Sequence, residues 1–242
     1  MTSDGRSMWT FDPVVLGRAE CDAWVGYYTQ DWAGVLRSAV VMVRTGFAMS
    51  WPRTMLGAWY VLRGNQLWAP YPDNDADGAR AAMRRFYALV ARDQGLDLDP
   101  ARAAELEVDW WREHRVLQRE RTDDDEGALV AALARIYAYV YVVPQPALEP
   151  AARARAAAMR ISDAWVADGC RPDDERLKAE RRLLVESYTR LLDAVANSPA
   201  AATGVSESRS AGQPLVAGSP KPGRSSRTVR VQAPQAWTNS SR

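Results

Sequence analysis

Apolar residues recur at intervals of three and four along the N-terminal part of the chain, between about residues 16 and 45. This spacing places them on one face of a helix. The stripe consists of Cys21, Trp24, Tyr28, Trp32, Val35, Ala39 and Met42. The pattern therefore predicts one long helix over about 16–45, with this stripe turned toward a core.

The same periodicity continues in six further segments, which are separated by residues typical of helix ends. Ser50 and Pro52 mark the start of the second helix, and Pro70 and Pro72 follow its end. Asp99 precedes a proline at the start of the fourth helix. The predicted segments run over about 52–67, about 77–93, from 100 to a loop at 122–126, about 126–142, about 147–168 and about 173–196.

Strand signals are nearly absent, and the connections between the predicted helices are short. Short connections favour antiparallel neighbours in a bundle. After Asn197 the composition changes to serine, glycine, proline, alanine and arginine without periodicity, which is typical of a disordered segment. We therefore predict an all-α fold: a bundle of about seven helices over residues 1–197, followed by a disordered basic tail over residues 198–242.

Charge is distributed unevenly between these two parts. Residues 198–242 hold six basic residues and one acidic residue, whereas residues 1–197 hold 25 basic and 29 acidic residues. The tail could contact nucleic acid or acidic lipid, but its basic residues are sparse and only Trp237 is interleaved with them. We find no strong nucleic-acid signal and expect a solvated tail.

Composition favours a soluble cytoplasmic protein. The two cysteines are too few for a disulfide framework or for a cysteine-based zinc site. No apolar run is long enough to span a bilayer, and the first residues lack the apolar core of a signal peptide. The sequence leaves the oligomeric state and any cofactor open.

The segment from Trp32 to Pro72 contains no aspartate or glutamate. It carries four arginines and seven aromatic residues, a combination that suits a negatively charged, partly apolar partner. We therefore predict binding of a small apolar or amphipathic anionic ligand. The predicted anion partners are Arg44, Arg53 and Arg63, and the predicted pocket walls are Trp59, Trp110 and Trp111.

Another interpretation of this segment stays open. The four arginines, Arg37 included, could instead pair with acids of neighbouring helices, and the candidates are Glu20, Asp31, Glu105 and Glu107.

A protein–protein adaptor is an alternative function of the protein. It would show an exposed aromatic patch on the bundle and self-association in solution.

The fourth predicted helix suggests an enzyme as an alternative function. Its wheel places Glu107 and His114, the only histidine of the chain, on the face that also holds Leu106, Trp110 and Leu117. An ionisable group on an apolar face must be paired, neutralised or used. Glu107 and His114 are thus candidate catalytic residues, with a metal or haem as a candidate cofactor; a hydrogen-bonded structural histidine is the other interpretation.

The run from Asp73 to Gly78 follows the opening of a calcium-binding EF-hand loop. Arg84 stands at the twelfth position, where such a loop needs a bidentate glutamate. Aspartates before a helix also cap its N-terminus. Capping of the third predicted helix is therefore the expected role, and we predict no metal site in this run.

Overall fold

The computed structural model describes residues 7–120 and 126–197. Within these ranges the chain forms eight helices and no strand, which confirms the all-α bundle. The helices are α1 (Pro13–Tyr28), α2 (Trp32–Phe47), α3 (Trp51–Trp68), α4 (Ala76–Gln94), α5 (Pro100–Glu120), α6 (Glu126–Tyr141), α7 (Gln145–Ala167) and α8 (Glu175–Ala196). The predicted disordered tail, residues 198–242, lies outside the described residues.

Aspartate side chains cap the N-termini of several of these helices. The Asp12 carboxylate accepts hydrogen bonds from the backbone N–H groups of Val14 and Val15 at the start of α1. Asp75 accepts from the N–H of Gly78 at 2.8 Å and caps α4. The acidic run before α4 therefore caps a helix, as the sequence predicted.

The predicted helix over 16–45 is instead two helices, α1 and α2. Gln30 adopts a left-handed backbone conformation, with φ of 60°, and Asp31 caps α2 by accepting from the N–H of Gly34 at 2.9 Å. Tyr27 and Trp32 still meet across the turn, with ring centroids 6.0 Å apart. The apolar stripe crosses the break because both helices face the same core, so its periodicity does not reveal the turn.

The eight helices form a closed ring. Each helix packs against the helices before and after it in sequence, and α8 packs against α1. Gly17 of α1 lies against Val185 of α8, and four residues later the Cys21 thiol donates to the Leu177 carbonyl at 3.7 Å. Residue numbers thus rise along α1 as they fall along α8. These two helices are therefore antiparallel and close the ring.

No helix in the described part of the chain is both long enough and apolar enough to cross a bilayer. Most of the large apolar side chains point inward from the ring, and Trp165, Leu129, Leu133 and Leu148 are completely buried. The core therefore lies inside the ring.

Gly17 permits the close approach that closes the ring. A Cβ atom added at this position would lie 2.5 Å from the backbone nitrogen of Val185. Backbone cannot rotate away as a side chain can, so α8 would have to move away from α1 to accommodate it.

We expect Gly17→Ala to lower the free energy of unfolding by about 1–3 kcal/mol, the usual cost of overpacking. Gly127→Ala is the matched control, because a Cβ atom there meets nothing within 4 Å. The control should be neutral or stabilising by up to about 1 kcal/mol, since alanine favours a helix over glycine. Urea titrations of both variants measure the difference; equal stabilities would contradict the close contact.

Candidate functional site

A cavity of about 210 Å³ lies in the middle of the ring. Side chains from all eight helices line it, and most of them are apolar. The aromatic members are Trp24, Tyr27, Phe47, Phe86, Tyr87, Trp110, Trp111, Tyr137, Tyr141 and Tyr188. We refer to this space as the central cavity; its walls suit an apolar guest.

An ion pair crosses the wall of the central cavity. The Arg155 guanidinium on α7 pairs with the Glu20 carboxylate on α1, and it also donates to the Tyr137 hydroxyl at 3.1 Å. Its Cζ atom lies 4.6 Å from the centre of the Trp110 ring. Burial alone would lower the pKa of Arg155, but the Glu20 charge raises this pKa well above its ordinary value. Arg155 is therefore charged and already neutralised by Glu20.

Glu107 brings a second carboxyl group to the central cavity. It accepts a hydrogen bond from the Tyr87 hydroxyl at 2.7 Å and one from the Trp111 indole nitrogen at 3.3 Å. Burial raises the pKa of Glu107, while the charge of Arg155 and these hydrogen bonds partly oppose the rise. Glu107 thus retains its proton to a higher pH than a solvated glutamate and can donate that proton inside an aromatic cavity.

A second cavity, of about 280 Å³, adjoins the first. The C-terminal halves of α1, α3, α5 and α7 meet there, and Trp24, Tyr27, Asn65, Trp110 and Trp111 line both cavities. We call these five residues the shared wall. The remaining lining is more polar than that of the central cavity and includes His114, Arg115, Gln118 and Arg119.

Arg115 reaches the shared wall from the second cavity. Its guanidinium donates to the Tyr27 hydroxyl and to the Trp68 carbonyl oxygen, both at 3.2 Å, and it lies over the Trp68 and Tyr71 rings. Among residues 7–120 and 126–197, every group that the Arg115 guanidinium contacts is neutral. Arg115 therefore presents a positive charge that no described carboxylate neutralises.

His114 lies in the same cavity with an acidic partner. Its Nε2 atom is 3.2 Å from both carboxylate oxygens of Asp163 on α7. Gln118 donates to the same carboxylate at 2.6 Å and to the Tyr28 hydroxyl at 3.2 Å. A carboxylate in this position fixes the orientation of an imidazole, which serves equally a structural histidine and a general base.

Four of the sequence-predicted site residues thus line these cavities. Trp110 and Trp111 belong to the shared wall, Glu107 faces the central cavity, and His114 faces the second cavity. Glu107 and His114 share one side of α5 but have different partners, in agreement with their separation by two helical turns.

The other four predicted site residues line neither of these cavities. Arg44 donates to the Met49 carbonyl, Arg53 pairs with Asp93, and Arg63 donates to Gln66 at 2.8 Å. The predicted wall residue Trp59 is 50% exposed. The inner sides of α2 and α3 present mostly apolar residues to the central cavity, among them Ala39, Val43 and Val61. The three arginines therefore lie on the outer side of these helices.

Pairing with acids was the alternative for the arginines of the acid-free segment, and two of them have such a partner. Arg37 lies 3.5 Å from Asp31, and Arg53 contacts Asp93. The candidate acid Glu20 is instead engaged by Arg155, far from that segment in sequence.

Sequence reasoning missed Arg155, although its surroundings contain a signal. Arg155 is a single charged residue at helical spacing from Ala151, Ala158 and Met159, all buried. A charge in an otherwise small and apolar stripe indicates a buried partner. Its partner Glu20 could not be identified, because no local pattern connects α1 with α7.

Another buried carboxyl group, Glu180 on α8, lies behind Glu20. It is fully buried, and neither of its oxygens has a hydrogen-bond partner among the described residues. Burial raises its pKa to about 8. Burial likewise raises the pKa of the neighbouring Cys21 thiol to about 12. Both groups are therefore protonated in the folded protein at neutral pH, so Glu180 does not bring a second full negative charge beside Glu20.

Within the described residues, no group of three or more His, Cys, Asp or Glu side chains is arranged to hold a metal ion.

Together, the two cavities offer an apolar space, the neutralised Arg155–Glu20 pair, the Glu107 carboxyl group with its raised pKa and the positive charge of Arg115 beside the shared wall.

We expect Arg155→Met to lower the free energy of unfolding by about 3–5 kcal/mol, because it leaves the Glu20 carboxylate buried without a partner. The double variant Glu20→Leu with Arg155→Met removes both charges and should be more stable than Arg155→Met alone. A double-mutant cycle in urea measures this coupling. A double variant whose loss equals the sum of the two single losses would contradict the pairing.

Glu180 predicts a dependence of stability on pH. The unfolded chain loses the Glu180 proton near its ordinary pKa of 4.5, whereas the folded protein holds it to about pH 8. Unfolding therefore releases a proton between these values, and the folding constant should fall by about tenfold per pH unit there. Glu180→Gln should remove the Glu180 contribution to this fall and leave that of Glu107, whereas the exposed Glu186→Gln on the same helix should retain the whole fall. Urea midpoints between pH 5 and pH 8 test both variants, and identical slopes would rule out the assignment.

Comparison of the chain with protein-family models, with curated proteins and with solved structures found no match.

Proposed function

We propose that this protein binds a small amphipathic ligand inside its ring of helices. The apolar body of the ligand occupies the central cavity, and its anionic group lies at Arg115 beside the shared wall. The observation that carries this proposal is the adjacency of the two spaces: one is aromatic and apolar, and the other holds a guanidinium that contacts only neutral groups among the described residues.

The central cavity supports the apolar part of this proposal. Its lining is contributed by all eight helices, so a guest there would be enclosed by rigid elements rather than by loops. Aromatic side chains supply large apolar surfaces and retain few rotamers, which lowers the entropic cost of enclosing a ligand.

Charge supports an anionic head group in the second cavity. The central cavity holds Glu20 and Glu107 against Arg155, so it offers no unneutralised positive charge. Arg115 offers such a charge in the second cavity. Arg119, whose guanidinium lies 4.3 Å from the centre of the Tyr71 ring, adds a second positive side chain to the lining of that cavity. A guanidinium that exchanges a neutral acceptor for a carboxylate or phosphate gains a charge-assisted hydrogen bond.

This proposal retains the ligand class expected from the sequence and changes the residues that would bind its anionic group. Arg44, Arg53 and Arg63 contact acceptors on the outer side of the ring, so Arg115 takes their place. A cytoplasmic location forms part of the proposal, because Cys21 and Cys170 are both free thiols.

The enzyme hypothesis rests on the same cavities. Glu107, with its raised pKa, would face the body of a bound ligand, and His114 with Asp163 would lie near its head group. This alternative predicts that a ligand recovered from the protein is chemically changed, whereas binding alone predicts that it is recovered unchanged.

Three probes with the same ten-carbon chain test the proposal by isothermal titration calorimetry: decanoate, decanol and decylammonium. We expect decanoate to bind most tightly. Arg115→Gln should weaken decanoate binding by about tenfold or more, the usual worth of a charge-assisted hydrogen bond, and should change decanol binding little. Ala23→Leu, which adds bulk to the lining of the central cavity, should weaken binding of all three probes.

Arg112→Gln is the matched control, because Arg112 lies on the same helix, is exposed and pairs with Asp109 at 3.4 Å. It should bind decanoate as the wild type does. Tighter binding of decylammonium than of decanoate would refute the anionic head group and indicate that Glu107 binds the polar group of the ligand. Absence of binding by every probe, or an equal loss in Arg112→Gln and Arg115→Gln, would refute the proposed site.

A further inference from the structure

An apolar stripe lies exposed on the outer side of α3. Trp51, Met55 and Trp59 follow one another at intervals of four residues and are 59%, 48% and 50% exposed. Leu56 extends the stripe and is 41% exposed. Residues four apart lie on one side of a helix, so these side chains form a continuous patch, which we call the tryptophan stripe. None of them lines the two cavities.

The helices on both sides of the stripe are basic. Together α2, α3 and α4 contain eight arginines and only two acids, Asp77 and Asp93. The eight arginines are Arg37, Arg44, Arg53, Arg63, Arg80, Arg84, Arg85 and Arg92. Basic and acidic residues balance across the other five helices.

Positive charge and apolar surface are also in direct contact. The Arg44 guanidinium of α2 lies 4.7 Å from the centre of the Trp51 ring, and Arg84 and Arg85 of α4 are exposed. Because α2, α3 and α4 are consecutive in the ring, one side of the molecule combines exposed tryptophan with positive charge. We call this side the α2–α4 face.

We propose that the α2–α4 face docks on the surface of an anionic lipid bilayer. Tryptophan rings partition to the boundary between lipid head groups and acyl chains, and Met55 and Leu56 add apolar area at the same depth. Arginines around the stripe would contact the lipid phosphates, which attract them electrostatically. The helices of the ring would lie on the membrane without crossing it, consistent with the absence of a spanning helix in the described residues.

A second copy of the chain is a less suitable occupant of this face. A two-fold dimer places the same surface of each subunit against the other, so it would bring together two faces that both carry an excess of arginine. A lipid bilayer supplies the complementary charge instead. Charge complementarity therefore selects the membrane.

Cosedimentation of the full chain with vesicles tests this inference. We expect binding to vesicles that combine phosphatidylcholine with phosphatidylglycerol, weaker binding to phosphatidylcholine alone, and loss of binding in high salt. The double variant Trp51→Ser with Trp59→Ser should reduce binding to the anionic vesicles by about tenfold or more. Its control, Val14→Ser with Val142→Ser, removes exposed apolar side chains outside α2, α3 and α4 and should bind as the wild type does.

A second pair of variants tests the charge. Arg84→Gln with Arg85→Gln, both exposed on α4, should weaken binding by about ten- to thirty-fold, whereas Arg153→Gln with Arg190→Gln on α7 and α8 should not. All four variants carry the same basic tail, so a difference between them reports on the folded part. Equal binding by all variants would assign vesicle binding to the tail and overturn the inference. A dimer that the two tryptophan replacements dissociate, without vesicle binding, would overturn it in favour of self-association.

Discussion

Closure of the ring by α8 against α1 is the contact on which the rest of the structure depends. It joins the two ends of the helical region and gives every helix two neighbours, so each helix has an inner side toward the core and an outer side toward solvent. Eight helices of ordinary diameter enclose more space than their backbones occupy, and large aromatic side chains fill most of it. The remaining space is the central cavity. The cavity is thus a consequence of how many helices the ring contains, and Gly17 is the residue that allows the last pair to meet.

The arginines of the ring differ in burial and in the partners that they contact. Arg155 points inward and requires Glu20, because a buried charge is tolerated only with a partner. The arginines of α2 and α3 point outward and contact backbone, amide or carboxylate acceptors. Arg115 is intermediate: it lies at the end where the odd-numbered helices finish, half-buried and held by neutral groups. This gradation explains why the number of arginines in a segment says little about a binding site, whereas the burial and partners of a single arginine say much.

Much of the fold could be predicted from the sequence, because helix periodicity and helix ends are local properties. The start of α5 after Asp99 and the end of α4 at Gly95 follow directly from residue types. The break at Gln30 could not be predicted, since the apolar stripe continues across it. In the candidate site, the wheel of α5 identified Glu107, Trp110, Trp111 and His114. It could not identify Glu20, Arg155 or Asp163 as their surroundings, because those contacts join residues distant in the chain and depend on the order of helices in the ring.

A ring in which each helix packs against its sequence neighbours has no helix that must come first. The start of α1 lies beside the C-terminal half of α8, since Phe11 meets Tyr188 with ring centroids 6.2 Å apart and the two helices are antiparallel. A short peptide joining these ends would leave every helix pair intact, and the chain could then be opened at another exposed connection, such as the one between α7 and α8. Because the order of the helices in space is cyclic, we expect the architecture to tolerate circular permutation.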